Sequence, residues 1–381
     1  MRKIKTAVIG SGFMGKVHTE AIRRLGNVDV VAVAASPARD ARAVAHHFDV
    51  PHSTGNWKSL VEDAEVEAVH LCTPNALHFP MAKAFMEAGK HVLCEKPLAV
   101  SSTEAAEMVR LAKEHKVSNA TNHNLRYYPV VQHIRAMAEA GDLGEILVVQ
   151  GTYSQDWLLY DTDYNWRIEA KDNGPSRVVG DIGSHWMDMI QHLTGLPITA
   201  LCADTQTFHR MRKKPKRSIE TFAGKTLSPE DYDEVPIETE DFASVLVRLG
   251  DRARGAYTVS QVSSGNKNRF QVEIYGTKCG VRWNQEVPDE LWIGHRNSPN
   301  QVILKDPSLL KGHAASYADL PGGHSEGYDD THKQLFKRFY NRILHPHSAI
   351  EYPTFEDGLR GMKLIEAVME SAASRAWVET A

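Results

Sequence analysis

The stretch Cys94-Glu95-Lys96-Pro97-Leu98 carries the side chain that is best placed for chemistry in this chain, the ammonium group of Lys96. It follows the apolar run His91 to Cys94, which is typical of a buried strand in a parallel sheet. Ligands bind beyond the carboxyl ends of such strands, and Pro97 fixes the turn at this one. Lys96 is therefore a candidate catalytic residue. A surface lysine paired with Glu95 is the alternative, and the rest of the chain has to decide between the two.

A second candidate site lies in Gly180-Asp181-Ile182-Gly183-Ser184-His185. Asp181 precedes a helical pattern and is within reach of the His185 ring. A carboxylate beside an imidazole orients the ring and stabilises its protonated form, which suits a general acid or base near neutral pH. A structural histidine with a capping aspartate is the alternative. His185, Asp188 and His192 share helical spacing, but no second ligand cluster accompanies them, so no metal site is predicted.

The glycine-rich segment Gly10-Ser11-Gly12-Phe13-Met14-Gly15 directly follows the first strand pattern and precedes a helical pattern. In that context the G-x-G-x-x-G spacing predicts a dinucleotide site. Glycines there allow a tight turn and a close approach to a pyrophosphate, whose charge the free N–H groups and the helix dipole stabilise. The cofactor-binding candidates in this turn are Gly10, Gly12, Phe13, Met14 and Gly15.

The choice between NAD and NADP depends on the end of the second strand, where an acidic residue would accept hydrogen bonds from the ribose of NAD. Here the end of that strand is followed by Ser36-Pro37-Ala38-Arg39 after Ala35, with no acidic residue at the expected position. A 2′-phosphate could bind to Ser36 with Arg39 as its counter-charge, so NADP is slightly favoured. Asp40 lies nearby and keeps NAD open, and the alternative for Arg39 is a solvent-facing side chain.

Length and composition indicate a globular protein of about two domains. The 381 residues are 42% hydrophobic, and 44 basic against 48 acidic residues give a formal net charge of -4. We therefore expect no nucleic acid and no membrane as partner, and the basic run from His209 to Arg217 is interpreted as a solvated loop beside the acidic region from Glu230 to Glu240. The four cysteines have no C-x-x-C spacing, and no apolar run is long enough for a membrane span or a signal peptide. A cytoplasmic protein with reduced thiols is expected.

The first 124 residues alternate strand and helix patterns, which predicts a parallel sheet with right-handed crossovers. Strands are expected at 6–10, 29–35, 68–72, 91–94 and 118–122. Ser101 and Ser102, with Glu104 in the first turn, predict the start of a capped helix. Residues 1–124 are thus the dinucleotide-binding half of an α/β protein, an N-terminal Rossmann domain with a doubly wound parallel sheet.

From residue 125 the pattern changes to long strands with few helices. Strands are expected at 146–153, 243–248, 253–261, 269–275 and 280–283 in a meander-like order, and helices at about 329–344 and 355–373. This predicts a C-terminal α+β domain, residues 125–381, with a large, mostly antiparallel open sheet. The last helices are expected to pack back on the first domain.

Two loops between a strand of this domain and the Asp181 segment are rich in aromatic and polar side chains, which stack on sugar rings and bind hydroxyl groups. The candidate substrate residues here are Asp156, Trp157, Asn165, Trp166 and Arg167. The alternative is an ordered loop that packs its own aromatic side chains. Since no phosphate-binding cluster is apparent in this domain, the expected substrate is an unphosphorylated sugar, glycoside or cyclitol.

Taken together, Gly10 to Gly15, Glu95-Lys96-Pro97 and Asp181 to His185 resemble the motifs of the Gfo/Idh/MocA oxidoreductase family, the glucose-fructose oxidoreductase and inositol dehydrogenase group. The resemblance covers essentially the whole chain. It departs from the family pattern at the second strand, where Ala35 and Ser36 replace a frequent acidic residue. Supporting matches are Cys72-Thr73-Pro74-Asn75 with His78, Asn124 to Pro129, and Gly322 to Tyr328.

The resemblance implies a nicotinamide cofactor, a sugar or cyclitol substrate, and a homodimer or homotetramer formed through the C-terminal sheet. The cofactor contacts that it adds are Thr73, Pro74, Asn75, His78, Glu95, Lys96 and Asn124. The substrate contacts that it adds are Arg126, Asp181, His185 and His324.

The expected reaction is hydride transfer between a secondary hydroxyl group and NAD or NADP. His185 is favoured as the proton acceptor with Asp181 orienting it, and Lys96 as the cation that stabilises a developing alkoxide. Lys96 as the base stays open. So do two other functions: a non-catalytic dinucleotide-binding regulator of the same fold, and a glycoside-processing enzyme with internally recycled NAD. The presence of all three side chains favours chemistry, because a regulator has no need of them.

Overall fold

The computed structural model describes residues 2–36, 41–216 and 231–380. The chain divides into two compact units. The first unit consists of Met1–Tyr127 with Tyr328–Met362, and the second of Tyr128–Gly327 with Lys363–Ala381. None of the four cysteines forms a disulfide, as expected from their spacing.

The first unit is built on a six-stranded, all-parallel sheet in the order β3-β2-β1-β4-β5-β6. Its strands are β1 Ile4–Ile9, β2 Val28–Ala34, β3 His52–Thr54, β4 Ala68–Leu71, β5 His91–Cys94 and β6 Asn119–Thr121. The strand order reverses between β1 and β4, which is the switch point of a doubly wound fold. The predicted Rossmann sheet is therefore confirmed. Only β3 lacks a prediction, because its polar and partly exposed residues carry no apolar pattern.

Helices connect these strands. They are α1 Phe13–Arg23, α2 Ala41–His47, α3 Ser59–Glu62, α4 His78–Glu87 and α5 Ser102–Glu114. The predicted cap of α5 is present, since the Ser101 hydroxyl accepts from the Glu104 N–H at 3.2 Å. Capping of this kind satisfies an N–H group that has no partner within the helix.

The second unit contains a nine-stranded sheet in the order β16-β15-β14-β13-β7-β12-β11-β8-β17. Its strands are β7 Ile146–Ser154, β8 Ile198–Gln206, β11 Phe242–Leu249, β12 Ala253–Ser260, β13 Arg269–Gly276, β14 Gly280–Asn284, β15 Glu290–Gly294, β16 Gln301–Leu304 and β17 Val378–Glu379. β9 Met211–Pro215 and β10 Tyr232–Pro236 form a separate antiparallel pair. The helices here are α6 Pro129–Glu139, α7 Ala170–Asn173 and α8 Ser184–Thr194.

The large, mostly antiparallel sheet is confirmed, but the meander-like order is wrong at one place. β7, the first strand of the unit, lies in the middle of the sheet, antiparallel to β13 and parallel to β12. Long-range pairing of this kind leaves no local signal, because only the partner strands decide it. One face of the sheet is covered, where Trp186 of α8 stacks on Tyr257 with ring centroids 4.4 Å apart.

Two long helices follow in the chain, α9 Tyr328–Leu344 and α10 Phe355–Ser374, at the predicted positions. α9 lies in the first unit and packs on α1, where the Arg24 guanidinium pairs with Asp330. The division between the units falls within α10, after Met362. No helix in the described ranges has both the length and the apolar character that a membrane span requires.

Two glycines of α10 provide a matched test of packing in the first unit. A Cβ atom at Gly358 would meet Thr121 Oγ1 at 2.6 Å and Leu98 Cδ2 at 2.7 Å, whereas at Gly361 nothing lies within 4 Å. Gly358→Ala should lower the thermal midpoint through overpacking of about 1–3 kcal/mol. Gly361→Ala should raise it, since alanine stabilises a helix by about 0.5–1 kcal/mol. Thermal melts followed by circular dichroism give both values, and equal shifts in one direction would contradict the packing described here.

Candidate active site

The glycine-rich turn after β1 is closed by backbone contacts that exclude side chains. Gly10 has φ +121°, and a Cβ there would lie 2.3 Å from the Cys72 carbonyl oxygen. A Cβ at Gly15 would lie 1.8 Å from the Gly10 carbonyl oxygen. Both positions therefore require glycine, because the first turn of α1 packs directly against the end of the strand.

The start of α1 fits a bound pyrophosphate. The residue before the helix is Gly12, which has no side chain to cap the first N–H groups, and the first turn contains no acidic residue. An uncapped helix N-terminus with this charge pattern favours an anionic ligand. Phe13 is 52% exposed at this end, and the sulfur of Met14 accepts from the Tyr328 hydroxyl at 3.7 Å.

The loops that follow β4 and β5 lie at the same carboxyl edge of the sheet, since the strands are parallel neighbours. His78 is fully buried and its two ring nitrogens lie 3.0 Å from the carbonyl oxygens of Thr73 and Pro97. Burial lowers the pKa of His78, so a neutral ring donates to one of these carbonyls. His78, predicted as a cofactor contact, thus links the Thr73 loop to the Glu95-Lys96-Pro97 loop. Pro74 and Asn75 lie in that first loop, with Asn75 buried.

The Glu95 side chain is buried and surrounded by donors. Its Oε1 accepts from Asn122 Nδ2 at 2.5 Å and lies 2.8 Å from His18 Nε2, and its Oε2 accepts from the Lys96 N–H at 3.2 Å. Burial alone would raise the pKa of Glu95, but the hydrogen bond and charge of His18, followed by the charge of Lys96, hold it well below its usual range. Glu95 is therefore ionised next to the lysine.

The contacts behind Glu95 extend into the core and were not predicted. His18 Nδ1 lies 2.9 Å from His70 Nδ1, and His70 Nε2 lies 2.9 Å from the Tyr340 hydroxyl. All three side chains are fully buried. One feature of the sequence could have predicted these contacts. His18 lies among mostly small and apolar residues on the buried face of α1, where a histidine needs a polar partner.

The predicted residues Asn124 and Arg126 have partners within the first unit. Asn124 Nδ2 donates to Thr331 Oγ1 at 2.8 Å, and Arg126 Nη2 donates to Asp357 Oδ1 at 3.1 Å. Asp357 also accepts from the Thr354 N–H at 2.8 Å. Burial raises the pKa of Asp357, but Arg126 and the Thr354 N–H outweigh it and lower that pKa to about 2.

In the second unit, Asp181 lies in a single π-helical turn, Val179–Gly183, which runs directly into α8. π-Helical turns are rare and occur frequently at functional sites. The Asp181 carboxylate accepts from Gln261 Nε2 at 2.8 Å and from Arg167 Nε at 3.3 Å. A carboxylate held by an amide and a guanidinium has a fixed orientation.

Two buried carboxylates that follow each other in the chain hold this turn in place. Glu240 Oε1 accepts from the N–H groups of Arg177 and Val179 at 3.0 Å each. Asp241 pairs with Arg177, and Arg177 Nη1 donates to Gln261 Oε1 at 3.3 Å. Sequence reasoning missed these residues, because they lie about 60 positions from Asp181 and carry no motif.

His185 is buried on the first turn of α8. Its ring centroid lies 6.1 Å from that of Tyr153, whose hydroxyl donates to Asn268 Oδ1 at 2.7 Å. Burial and then the negative charge of Asp181 raise the pKa of Tyr153, so this hydroxyl stays neutral. Asp181, His185 and Tyr153 thus belong to one region of the second unit.

The aromatic loops partly pack on themselves. Trp157 and Tyr164 contact a small buried cluster of Leu158, Ile168 and Ile237. The Asn165 side chain accepts from the Arg167 N–H at 3.1 Å, and the Arg167 guanidinium lies 4.5 Å from the Trp166 ring centre.

The two remaining predicted substrate residues are Asp156, which is hydrogen-bonded, and His324, which is exposed. Asp156 Oδ2 accepts from Lys267 Nζ at 2.8 Å and from the Gly265 N–H at 3.0 Å. His324 is exposed, and its carbonyl oxygen accepts from the buried Lys305 ammonium at 2.7 Å.

The interpretation of the basic run as a solvated loop is wrong at Arg212. This residue is fully buried in β9, where it pairs with Asp241 at 2.8 Å and donates to the carbonyl oxygens of Leu158, Tyr160 and Asp163. A buried guanidinium is stable here because every partner is an acceptor. Arg217 and Glu230 lie outside the described residues, and so does Arg39, the predicted counter-charge of a 2′-phosphate; Ser36 is the last described residue before it.

Two models of one family match this chain. The oxidoreductase family model with an NAD-binding Rossmann fold matches residues 4–123, and the GFO/IDH/MocA C-terminal domain model matches residues 131–282. These ranges include more than half of the chain, and they define the class of the protein as a two-domain, NAD-binding oxidoreductase. The chain belongs to the Gfo/Idh/MocA family, as its motifs predicted.

Individual relatives match over the whole length. Levoglucosan dehydrogenase from Pseudarthrobacter phenanthrenivorans is 29% identical over 399 residues, covering 100% of this chain and 98% of the relative. Inositol 2-dehydrogenase from Rhizobium meliloti is 22% identical over 378 residues, covering 99% of each. A solved structure of levoglucosan dehydrogenase in complex with NADH and L-sorbose has a TM-score of 0.89 at 27% identity and covers 100% of both chains.

The Asp357 carboxylate gives a pH-dependent test of the first unit. Because its pKa falls from 3.8 to about 2 on folding, it stabilises the folded state above pH 4, and this contribution is lost as the pH falls towards 2. Asp357→Asn should cost about 2 kcal/mol at pH 7 and very little near pH 2. The neighbouring exposed Glu356→Gln is the control and should have little effect. The measurement is the thermal midpoint of each variant between pH 2 and pH 7. A decrease in the midpoint of Asp357→Asn that does not depend on pH would refute the role of the ion pair.

Proposed function

We propose that this protein is an NAD(P)-dependent dehydrogenase that transfers hydride between a secondary hydroxyl group of an unphosphorylated sugar, glycoside or cyclitol and the nicotinamide. Residues 1–124 bind the cofactor and residues 125–381 bind the substrate. The observation that carries the proposal is the Lys96 loop at the carboxyl edge of a Rossmann sheet, on β5, with the anion-binding turn of Gly10 to Gly15 on β1 of the same sheet.

The protein's own groups supply acid–base chemistry. When bound, the nicotinamide cofactor accepts or returns the hydride. Lys96, with ionised Glu95 behind it, stabilises negative charge on the substrate oxygen. His185 takes the hydroxyl proton during oxidation and returns it during reduction, and Asp181 keeps the ring oriented. The contacts of Asp181 with Gln261 and Arg167 support this role, because a fixed carboxylate orients an imidazole.

The second unit and several relatives support this substrate class. Levoglucosan, L-sorbose and inositol, which appear in the names of similar proteins, are polyhydroxylated and unphosphorylated. Glucose 6-phosphate, in the name of a relative from Bacillus subtilis that is 24% identical, carries a phosphate, so the unphosphorylated substrate is proposed from the sequence of the second unit. Arg167 and Trp166, stacked on each other beside Asp181, combine a cation and a ring that suit a sugar face and its hydroxyl groups. We therefore assign Arg126, Asp156, Trp157, Asn165, Trp166, Arg167 and His324 as substrate-side candidates.

The cofactor preference is proposed from sequence. Ser36 follows the end of β2 without an acid beside it, and a solved structure of levoglucosan dehydrogenase is a complex with NADH. We infer that the cofactor is NAD or NADP, with NADP slightly favoured by the missing carboxylate. A cytoplasmic location is proposed from the unpaired cysteines.

The first experiment is a screen of sugars, anhydrosugars, glycosides and inositols for reduction of NAD and NADP at 340 nm. Lys96→Met should lower kcat on any substrate by about 100-fold or more, with NADH affinity changed by less than about threefold. Lys83→Met, an exposed lysine on α4, is the control and should match the wild type. Near-normal turnover of Lys96→Met would refute the role of Lys96. Tight dinucleotide binding without any turnover would instead favour the regulator or the recycled cofactor.

We also propose that the open face of the nine-stranded sheet joins two or more copies of the chain. One row of residues runs across this face through paired positions on seven adjacent strands: Leu246, Ala256, Gln150, Glu273, Arg282, Trp292 and Val302. Leu246 and Val302 are 50% and 59% exposed, and Arg282 lies over the Trp292 ring at 3.8 Å. A wide face that mixes apolar, aromatic and arginine side chains is typical of protein interfaces.

Leu246→Glu should weaken this assembly, because it buries a charge at the interface without a partner. The dissociation constant should rise at least about tenfold, measured by light scattering over a dilution series. Leu309→Glu is the control, since Leu309 is 60% exposed and lies outside the sheet strands. An unchanged mass for Leu246→Glu, or a monomeric wild type, would contradict the assignment.

A further inference from the structure

Four buried side chains of the first unit form an unbroken chain of hydrogen bonds, here named the histidine chain: Glu95, His18, His70 and Tyr340. They come from the loop after β5, from α1, from β4 and from α9. The three contacts measure 2.8 Å, 2.9 Å and 2.9 Å in that order. The chain begins at the residue whose carboxylate accepts from the Lys96 N–H.

The protons in this chain can be assigned from its acceptors. Glu95 is a carboxylate and can only accept, so His18 Nε2 carries a proton and donates it. His18 Nδ1 and His70 Nδ1 face each other, so one proton lies between them. Burial and then the charge of His18 hold the pKa of His70 well below its usual range, so His70 carries a single proton. His70 Nε2 and the Tyr340 hydroxyl share the hydrogen bond of 2.9 Å.

All four ring nitrogens of the two histidines have hydrogen-bond partners. The Glu95 carboxylate, which carries the charge, lies 2.8 Å from His18 Nε2. Buried charges are tolerated when they are paired and hydrogen-bonded in this way.

Other titratable groups face the same space. His332, on α9, has its ring centroid 5.7 Å from that of His18, and burial and then the charge of His18 lower the pKa of His332 to about 3. Its Nδ1 donates to the Tyr328 carbonyl oxygen at 3.1 Å, and its Nε2 has no hydrogen-bond partner among the described residues. Burial, followed by the charge of Glu95, raises the pKa values of Cys72 and Cys94. These three groups are therefore neutral, and the Glu95 carboxylate is the charge that faces the pair.

A metal ion fits this place poorly, although ligand atoms of His18, Glu95 and His332 lie within 4.8 Å of one another. The Asn122 amide nitrogen lies 2.5 Å from Glu95 Oε1 and 3.1 Å from His18 Nε2. The Asn122 NH₂ group thus occupies the space in which a cation would bind, and its N–H donors would repel one. The arrangement favours a network of hydrogen bonds over a metal site.

We propose that His18 is a positioning residue for Lys96: its Nε2 donates to the Glu95 carboxylate and holds it in place against the Lys96 backbone, while the hydrogen bond between its Nδ1 and His70 fixes the ring. The inference rests on the proposed function, since it assigns His18 a part in the chemistry of Lys96. Without the Nε2 donor, only Asn122 and Lys96 would offset the burial, and Glu95 would take up a proton at higher pH. The anionic neighbour of Lys96 would then be lost as the pH falls.

Two variants separate the contacts of His18. The amide nitrogen of glutamine can replace Nε2, and that of asparagine can replace Nδ1. His18→Asn should therefore lose about tenfold or more in kcat/KM, mainly in kcat, and the acid limb of its pH profile should move to higher pH by at least about one unit. His18→Gln should keep the wild-type acid limb and stay within about threefold. His46→Asn, an exposed histidine on α2, controls for the substitution itself.

Equal losses in His18→Asn and His18→Gln, with an unchanged acid limb, would mean that His18 only fills space and would overturn the inference. If the wild type turns over no substrate, the proposed function fails while His18 stays testable through stability. Glu95 has a lowered pKa in the folded state, so its contribution is present above its usual range and is lost in acid. The gap in thermal midpoint between the wild type and His18→Asn should then be largest at pH 7 and shrink as the pH falls.

A third measurement needs no stable His18→Asn variant. In the wild type labelled with ¹⁵N-histidine, the signal that disappears in His18→Gln should show a proton on Nε2 throughout the neutral range. A His18 ring without a proton on Nε2 would overturn the inference, whatever the variants do.

Discussion

The buried carboxylate of Glu95 imposes the strongest constraint on the first unit. Taking an ionised carboxylate out of water costs several kcal/mol unless donors replace the lost hydration. Here the donors are His18 on α1, Asn122 after β6 and the Lys96 N–H. The helix after the glycine turn, the loop after β5 and the segment after β6 are thus tied to a single charge, and Lys96 is adjacent to it.

The same physical requirement shapes the second unit. Glu240 and Asp241 are buried, and their partners include the backbone of the π-helical turn and the guanidinium groups of Arg177 and Arg212. Burial raises the pKa of Asp241, but Arg177, the His209 N–H and Arg212 outweigh it and lower that pKa. Asp181 is positioned at the end of this network through Gln261. The role that we propose for Asp181 needs such support, because a mobile carboxylate would not select one orientation of an imidazole ring.

These two networks explain why family motifs alone describe only part of the chemistry. The motifs Glu95-Lys96-Pro97 and Asp181 to His185 contain the residues that take part in the reaction that we propose. His18 and Gln261 contact Glu95 and Asp181, and His70 and Glu240 lie one contact further away, against His18 and the π-helical turn. Substitution of such residues changes the orientation and charge of a group that meets the substrate, so their effects should appear in pH profiles more clearly than in binding.

Much of the fold was predictable from local patterns. Apolar runs located five of the six strands of the parallel sheet, the spacing of Gly10, Gly12 and Gly15 located the anion-binding turn, and Ser101 located a helix start. These features depend on residues that are adjacent in the chain, so the sequence carries them directly. The long amphipathic patterns of α9 and α10 were located for the same reason.

The remainder depended on partners far apart in the chain. β7 lies between β12 and β13 because those strands arrive more than 90 residues later, and strand pairing leaves no mark on a single strand's pattern. Arg212 reads as part of a charged surface run, yet it is buried, because carbonyl oxygens and Asp241 surround it. By itself the sequence determined the type of each local element and the residues of the motifs. Only the tertiary structure decided which polar groups are buried together, since hydrogen bonds between distant segments exist only once the chain is folded.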